Sequence, residues 1–220
     1  MPQIAHLSCR HPGRTGGASW VVTLAALGLV LVAVAVPQGG LAAMDHGLLG
    51  FFSTLRGDTL DRFFQAVTWL GSGYVLAPAA AILAAWLLAR RQGLAAWQLT
   101  MTYFGAALTT WALKQAIGRL RPDQYPALAD FIGVDWSFPS GHTTHAAALA
   151  LGLWAFLPAQ RPGARRMLAG ALAGWVFLVA ASRLYLQVHW PSDVLAGLLV
   201  ALVWAGLAAA SVKACKGRTA

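Results

Sequence analysis

The chain has 220 residues, of which 58% are hydrophobic and only 10% are charged, and its mean hydropathy is +0.61. A soluble domain carries about 25% charged residues, so this composition disfavours a soluble protein and indicates a membrane protein. The formal net charge of +9 does not indicate nucleic-acid binding, because no basic helix and no interleaving of basic with aromatic residues accompanies it.

Six apolar runs are long enough to cross a bilayer, which takes roughly 17–25 residues. They predict an all-α polytopic membrane protein, with one six-helix domain over residues 19–212, a mobile cytoplasmic tail over 1–18 and a second tail over 213–220. The first run exceeds the roughly 7–15 residues of a signal-peptide core, which favours an uncleaved helix, and the Ala42-Ala43 pair keeps cleavage as the alternative. The runs are 19–36, 68–89, 94–113, 143–160, 167–182 (extended past Arg183 by 184–186) and 194–212.

Residues 45–67, between the first and second runs, alternate apolar with charged side chains. This pattern predicts an amphipathic helical segment in the outer membrane interface, broken near Gly57. The charged residues Asp58, Asp61 and Arg62 either shape the mouth of a substrate site or form an exposed polar helix face.

Four segments that carry basic residues, the two tails and two of the loops, fall on the same side of the predicted six-span topology. Segments rich in Lys and Arg stay in the cytoplasm, so the pattern predicts cytoplasmic termini and a multi-pass protein of the inner (plasma) membrane. Cys9 and Cys215 both fall in the cytoplasmic tails, where a disulfide is not expected. The basic residues are Arg10, Arg14, Arg90, Arg91, Arg161, Arg165, Arg166, Lys213, Lys216 and Arg218.

The third run ends in the block Lys114-x6-Arg121-Pro122. Helix is disfavoured at the residue before proline, so this helix is predicted to end there. The two cations are seven residues apart, which on a helix is close to two turns and about 10 Å along one face. Both can reach one anion, and the alternative is snorkelling to the headgroups. Arg119 lies off this stripe and is interpreted as a snorkelling residue.

The fourth run begins with the block Pro139-Ser140-Gly141-His142. A helix N-terminus offers unpaired N–H groups and binds phosphate readily. Gly141 allows close approach of the backbone, and Ser140 can cap the helix or donate its hydroxyl to a phosphate oxygen. The alternative is an ordinary cap beside an unrelated histidine.

The third block, Ser182-Arg183-x5-His189-x3-Asp193, joins the last two runs. Because Pro191 is a favoured first helical residue, Asp193 falls in the first turn of the last helix. Its carboxylate can accept the Nδ1–H of His189 and leave Nε2 as a nucleophile. The alternatives are a favourable helix-dipole position for Asp193 and an interfacial histidine.

The predicted topology brings all three blocks to the extracytoplasmic face. Charges are costly in apolar surroundings, and a bound phosphate accounts for their concentration there. His145, three residues after His142, suggests a zinc site. Zinc requires three or four convergent ligands, and the sequence offers no third one outside the phosphate site, so no metal or other cofactor is expected.

The three blocks resemble the three-part motif of the type 2 phosphatidic acid phosphatase (PAP2) superfamily, and the match covers residues 114–193 with every motif position present in order. The resemblance implies a metal-free phosphatase in which His189 forms a phosphohistidine, Asp193 orients it, and His142 protonates the leaving group and then activates water. It also implies five phosphate-binding residues, which are Lys114, Arg121, Ser140, Gly141 and Arg183.

The predicted function is hydrolysis of a membrane lipid phosphate or diphosphate, such as undecaprenyl diphosphate, phosphatidylglycerol phosphate or phosphatidic acid. Neither nucleic acid nor an obligate protein partner is expected. The alternative is a non-catalytic transporter or binding protein for anionic lipids, which would have no use for an oriented nucleophile. A vanadate-dependent haloperoxidase shares the motif, but those enzymes are typically soluble and six spans disfavour it.

Overall fold

The structure, a computed structural model, describes residues 16–122, 136–155 and 162–218. These residues form eight α-helices and one short 3-10 helix, with no β-strand among them, which confirms the all-α fold class. Cys9, Arg10, Arg14 and Arg161 lie outside the described residues. The helices are α1 (Gly16–Ala35), α2 (Ala42–Thr54), α3 (Asp58–Thr68), the 3-10 helix (Trp69–Gly71), α4 (Gly73–Ala89), α5 (Gly93–Ile117), α6 (Gly141–Trp154), α7 (Pro162–Tyr185) and α8 (Pro191–Arg218).

Each of the six apolar runs is mostly helical over the part that the structure describes, and the run 68–89 is interrupted at Ser72. By length and composition, three described segments can cross a membrane, namely Asp58–Ala89, Gly163–Tyr185 and Pro191–Lys216, and Trp20–Ala35 is a shorter apolar helix. The segment between the first two runs forms α2 and α3, which are separated at residues 55–57 near the predicted break. The count of six crossings and the interfacial position of α2 and α3 remain predictions.

Helix α8 lies at the centre of the bundle and packs against α1, α5 and α6. Small residues let the helices approach closely, as they do in membrane bundles. A Cβ atom built on Gly105 of α5 would lie 2.4 Å from the Trp204 ring of α8, and one on Gly206 would lie 1.9 Å from Val22 of α1. The close contacts of α8 therefore depend on glycine at these positions.

The outside of the bundle is apolar, whereas its interior is partly polar. Large side chains such as Leu31, Ile82 and Phe177 are 69–70% exposed. Soluble monomers rarely expose contiguous apolar patches of more than a few hundred square ångströms, so this surface suits a lipid environment. The buried polar residues lie mostly at one end of the bundle, and they include Asp45, Lys114, Ser137, Ser140, Arg183, His189, Ser192 and Asp193.

Candidate active site

The three sequence blocks meet at one end of the bundle. Lys114 lies in the last turn of α5, Gly141 begins α6, and Arg183 lies in the last turn of α7. The turn that follows α7 carries His189, and Asp193 lies in the first turn of α8, which begins at the predicted residue. Direct contacts join these ends, because the Ser140 N–H donates to the Asp193 carbonyl at 3.0 Å and Arg121 Nη1 donates to the Val188 carbonyl at 2.9 Å.

His189 is buried, with only 1% of its surface exposed. Its Nδ1 atom lies 3.5 Å from Asp193 Oδ2 and 3.4 Å from Ser137 Oγ. Catalytic hydrogen bonds are often long without substrate, so these distances are compatible with a carboxylate that orients the ring. The expected pairing of His189 with Asp193 is therefore geometrically available, and Ser137 is a third member that was absent from the predicted set.

The Asp193 carboxylate is held from several directions. Its Oδ2 accepts hydrogen bonds from the Trp190 N–H at 2.9 Å and from the Ser137 hydroxyl, and its Oδ1 accepts one from Arg119 Nη1 at 2.6 Å. The carboxylate is fully buried. A buried carboxylate needs paired charge and hydrogen bonds, and this set supplies both.

The positive charges of three residues from different parts of the fold act on His189. Burial of the imidazole, together with the positive charges of Arg121, Arg183 and Lys114, holds the pKa of His189 well below its usual range. Neighbouring positive charge disfavours the imidazolium, so the ring is neutral at neutral pH. The cluster thus combines a neutral imidazole with positive charges that suit an anion.

The cations are themselves positioned by neighbouring polar groups. Lys114, only 7% exposed, donates from Nζ to the Trp136 carbonyl. Arg183, only 2% exposed, donates from Nη1 to the Thr68 hydroxyl of α3. The cations are therefore held in place as parts of a built site.

The expectation that Lys114 and Arg121 share one face of a helix is wrong. Helix α5 ends at Ile117, and Gly118 adopts the left-handed conformation (φ 59°) with its N–H on the Lys114 carbonyl. Glycine at this position commonly terminates a helix. Arg121 therefore lies beyond the helix, and its hydrogen bond to the Val188 carbonyl places it in the cluster.

The interpretation of Arg119 as a snorkelling residue is also wrong. Its guanidinium forms ion pairs with Asp193 at 2.6 Å and with Asp45 of α2 at 2.7 Å. Helix geometry does not apply to Arg119, because α5 has already ended at Ile117. Asp45 is fully buried, and no local feature of the sequence indicates its distant pairing.

The start of α6 presents open space to the cluster. Apart from its chain neighbours and the backbone of its own helix, no described atom lies within 4 Å of a Cβ built on Gly141, whereas one on Gly197 of α8 would lie 2.8 Å from the Ser140 carbonyl. Ser140 is the N-cap residue but makes no side-chain capping bond, and its hydroxyl pairs with Thr143 Oγ1 at 3.0 Å. The first N–H groups of α6 lack intrahelical acceptors by geometry, so they remain donors for an anion. His142 interacts electrostatically with Arg183 and His189.

The remaining candidate residues stand apart from this cluster. His145 packs its ring against Tyr103, with centroids 5.3 Å apart. No group of three potential metal ligands occurs among the described residues. Asp61 pairs with Arg56 at 2.9 Å and accepts the Tyr185 hydroxyl at 2.7 Å, so part of the predicted charged helix face is tied to α7.

The sequence model of the PAP2 superfamily matches residues 95–216, which is more than half of the 220 residues. The chain belongs to the PAP2 superfamily. Among curated PAP2 relatives, phosphatidylglycerophosphatase B of Bacillus subtilis (strain 168) is 29% identical over 183 residues, which cover 79% of this chain and 86% of the relative. Lipid A 4'-phosphatase of Bacteroides thetaiotaomicron is 29% identical over 177 residues, which cover 73% of each chain.

Two solved structures share the fold. The crystal structure of a transmembrane PAP2-type phosphatidylglycerolphosphate phosphatase from Bacillus subtilis has a TM-score of 0.78 at 24% identity, and it covers 89% of this chain and 97% of its own. Aquifex aeolicus LpxE has a TM-score of 0.60 at 27% identity, with coverages of 76% and 95%. This PAP2 chain is therefore a membrane protein and a phosphatase, which decides against a non-catalytic lipid-binding protein.

Proposed function

We propose that the protein is an integral-membrane lipid phosphatase that hydrolyses a lipid phosphate or diphosphate on the extracytoplasmic face. The observation that carries the proposal is the buried His189, whose Nδ1 lies 3.5 Å from the Asp193 carboxylate and on which the charges of Arg121, Arg183 and Lys114 act. Phosphoryl transfer depends mainly on positioning and charge stabilisation, and this arrangement supplies both.

In the first step, His189 Nε2 attacks phosphorus, an N–P bond forms and the P–O bond to the lipid breaks. His142 donates its proton to the departing alkoxide, or to the departing phosphate when the substrate is a diphosphate. Asp193 holds the Nδ1–H of His189 and stabilises the positive charge that the ring gains. This step leaves a phosphohistidine and a free lipid alcohol or monophosphate.

In the second step, His142 accepts a proton from water and the resulting hydroxide attacks the phosphohistidine. The N–P bond breaks, inorganic phosphate leaves, and His189 returns to its neutral form with His142 again protonated. The two histidines thus need opposite protonation states, which predicts a bell-shaped dependence of rate on pH.

The phosphate group is held by fixed positive charge in this proposal. Lys114, Arg121 and Arg183 neutralise its oxygens, while Ser140 and the backbone at Gly141 donate hydrogen bonds at the start of α6. The three cations supply the charge that a metal ion supplies in other phosphatases, so the reaction is proposed to need no metal.

A lipid substrate is supported by the curated relatives, whose names are those of lipid phosphatases, and by the apolar surface beside the site. A groove of about 500 Å³ runs between α6, α7 and α8, and its lining is almost entirely apolar and includes Ala147, Leu172, Phe177 and Leu198. A substrate chain that descends from a headgroup-level phosphate can lie in this groove. Undecaprenyl diphosphate, phosphatidylglycerol phosphate and phosphatidic acid remain the candidate substrates.

The proposed topology places six spans in one domain over 19–212, with cytoplasmic tails. Arg91, Ala155 and Lys216 line one pocket at the end of the bundle opposite His189, which supports a basic end and a catalytic end on different sides of the membrane. Protease accessibility or cysteine labelling in oriented vesicles tests this arrangement.

The direct test of function is phosphate release from a panel of the three candidate lipids by the purified protein in detergent with EDTA. We expect release from at least one lipid, and loss of release in His189→Ala but not in the control His6→Ala, a histidine outside the three sequence blocks. Activity that requires an added divalent metal, or that survives in His189→Ala, would refute the proposal.

A further inference from the structure

Arg119 bridges two fully buried carboxylates that come from opposite ends of the chain. Its Nη1 lies 2.6 Å from Asp193 Oδ1, and its Nη2 lies 2.7 Å from Asp45 Oδ2. Arginine presents donors in a rigid planar fork, so a guanidinium fixed at both ends also fixes the planes of its partners. Arg119 has no place in the phosphate-binding set, because both of its terminal nitrogens face carboxylates or Ser192.

Asp45 also binds the start of α8 directly, through Ser192. Its Oδ1 accepts the Ser192 N–H at 2.8 Å, and its Oδ2 accepts the Ser192 hydroxyl at 2.7 Å. Arg119 Nη1 also donates to that hydroxyl at 2.7 Å. Ser192 immediately precedes Asp193, so helix α2 fixes the backbone that carries the candidate orienting carboxylate.

An aromatic ring packs against the Arg119 guanidinium. The guanidinium carbon lies 5.2 Å from the ring centroid of Trp190, and the Trp190 Nε1–H donates to the Leu120 carbonyl at 3.1 Å. The ring of His46, also on α2, forms a T-shaped contact with the same indole, with the ring centroids 4.9 Å apart. Arg119 is therefore held by two carboxylates and a ring, and movement of α2 would displace it.

We propose that Asp45 and Arg119 are positioning residues, which hold the Asp193 carboxylate so that Oδ2 faces His189 Nδ1 and which couple α2 to the nucleophile. The inference rests on the proposed roles of Asp193 and His189. Removal of Arg119 would leave the two carboxylates without their shared cation, and they would no longer be fixed in one geometry.

The test separates positioning from substrate binding. With p-nitrophenyl phosphate and with dioctanoyl phosphatidic acid, we expect Arg119→Gln to lower kcat about 10- to 100-fold, as loss of an orienting partner usually does. KM should stay within about threefold, because the lost interaction acts on the reacting group and not on the bound phosphate. Asp45→Asn should lower kcat by about tenfold in the same way. Arg119→Lys keeps the charge without the fork and should retain an intermediate kcat.

The decisive comparison uses the Asp193→Asn background. If Arg119 acts through Asp193, Arg119→Gln should lower kcat by less than about threefold beyond the loss that Asp193→Asn already causes, because the two residues act as a unit. The matched control Arg90→Gln, at the other end of the bundle, should leave kcat unchanged. An Arg119→Gln effect that appears in KM alone, or that persists in full in the Asp193→Asn background, overturns the proposal.

A readout without turnover keeps the test independent of the substrate. Histidine nitrogen NMR should show the Nδ1-protonated tautomer of His189 in the wild type. This tautomer should be lost in Arg119→Gln. If Arg119→Gln does not fold, Arg119→Lys takes its place. An unchanged tautomer in the folded variants would overturn the proposal. Hydrolysis of p-nitrophenyl phosphate without hydrolysis of any lipid would instead refute the proposed lipid substrate and leave the positioning result standing.

Discussion

Replacement of Asp193 by asparagine changes one oxygen of the carboxylate into a donor. A carboxamide has one acceptor oxygen and one NH₂ group. Arg119 can only donate, so it selects the amide oxygen at the Oδ1 position, 2.6 Å from Nη1. The NH₂ group must then occupy the Oδ2 position, where it faces the Trp190 N–H and His189 Nδ1.

The size of the effect follows from that orientation. A donor opposite Nδ1 favours the tautomer with the proton on Nε2, which removes the lone pair that attacks phosphorus. In the catalytic triad of serine proteases, the same substitution lowers kcat by about 10⁴-fold. Each factor of ten corresponds to about 1.4 kcal/mol of barrier. We expect Asp193→Asn to lower kcat about 10³- to 10⁴-fold here. The smaller decrease applies if the His189 ring partly reorients.

The assay is steady-state hydrolysis of dioctanoyl phosphatidic acid in detergent with EDTA, and Asp58→Asn on the exposed start of α3 is the matched control. KM should change little, because Asp193 does not contact the phosphate. A variant that keeps more than about a tenth of the wild-type kcat would show that the carboxylate does not set the tautomer of His189.

Three further predictions concern neighbouring groups. Ser137→Ala removes a hydrogen bond to the buried Asp193 carboxylate, and such a bond contributes roughly 1.5–3 kcal/mol. If that energy is lost from the transition state, kcat should fall about 10- to 100-fold, whereas the control Ser211→Ala should have no effect. An unchanged kcat in Ser137→Ala would contradict a positioning role for Ser137. Arg121→Gln removes one cation that lowers the pKa of His189, so that pKa should rise toward about 6.5. Because attack requires the neutral ring, the acid limb of the kcat/KM profile should move to higher pH. A shift to lower pH would contradict the role of His189 as the attacking group. Ala173→Trp narrows the apolar groove and should raise KM for a long-chain phosphatidic acid about tenfold, or about 1.4 kcal/mol, but not for p-nitrophenyl phosphate; the same rise in Ala171→Trp, outside the groove, would contradict chain binding there.

Local rules predicted where two helices that carry the candidate site begin. Proline is favoured at the first helical position, and α8 does begin at Pro191. The turn at Ser140-Gly141 does open α6. The membrane class followed from composition, and the convergence of the three blocks followed from the alternation of spans. These predictions succeed because they rest on short-range backbone preferences and on the geometry of the bilayer.

Long-range pairing was outside the reach of such rules. The helix of the third apolar run, α5, was expected to continue to Arg121, which would point Arg119 away from the site. Instead, the left-handed conformation of Gly118 ends α5 at Ile117. Asp45 was grouped with an amphipathic pattern, and only the fold brings it to Ser192 and Arg119. A charged residue beside a helix-ending glycine, between two motif cations, was the one local signal that could have identified Arg119 as a site residue.

Direct observation of the covalent intermediate tests the central claim. In His142→Asn, p-nitrophenyl phosphate can still react at the first step, because p-nitrophenolate leaves without a donated proton, while hydrolysis of the intermediate is slowed. Quenching into alkali and mass spectrometry of the peptides should then find phosphate on His189. Phosphate on any other residue, or release of p-nitrophenol with no phosphorylated histidine at any time, would contradict the account.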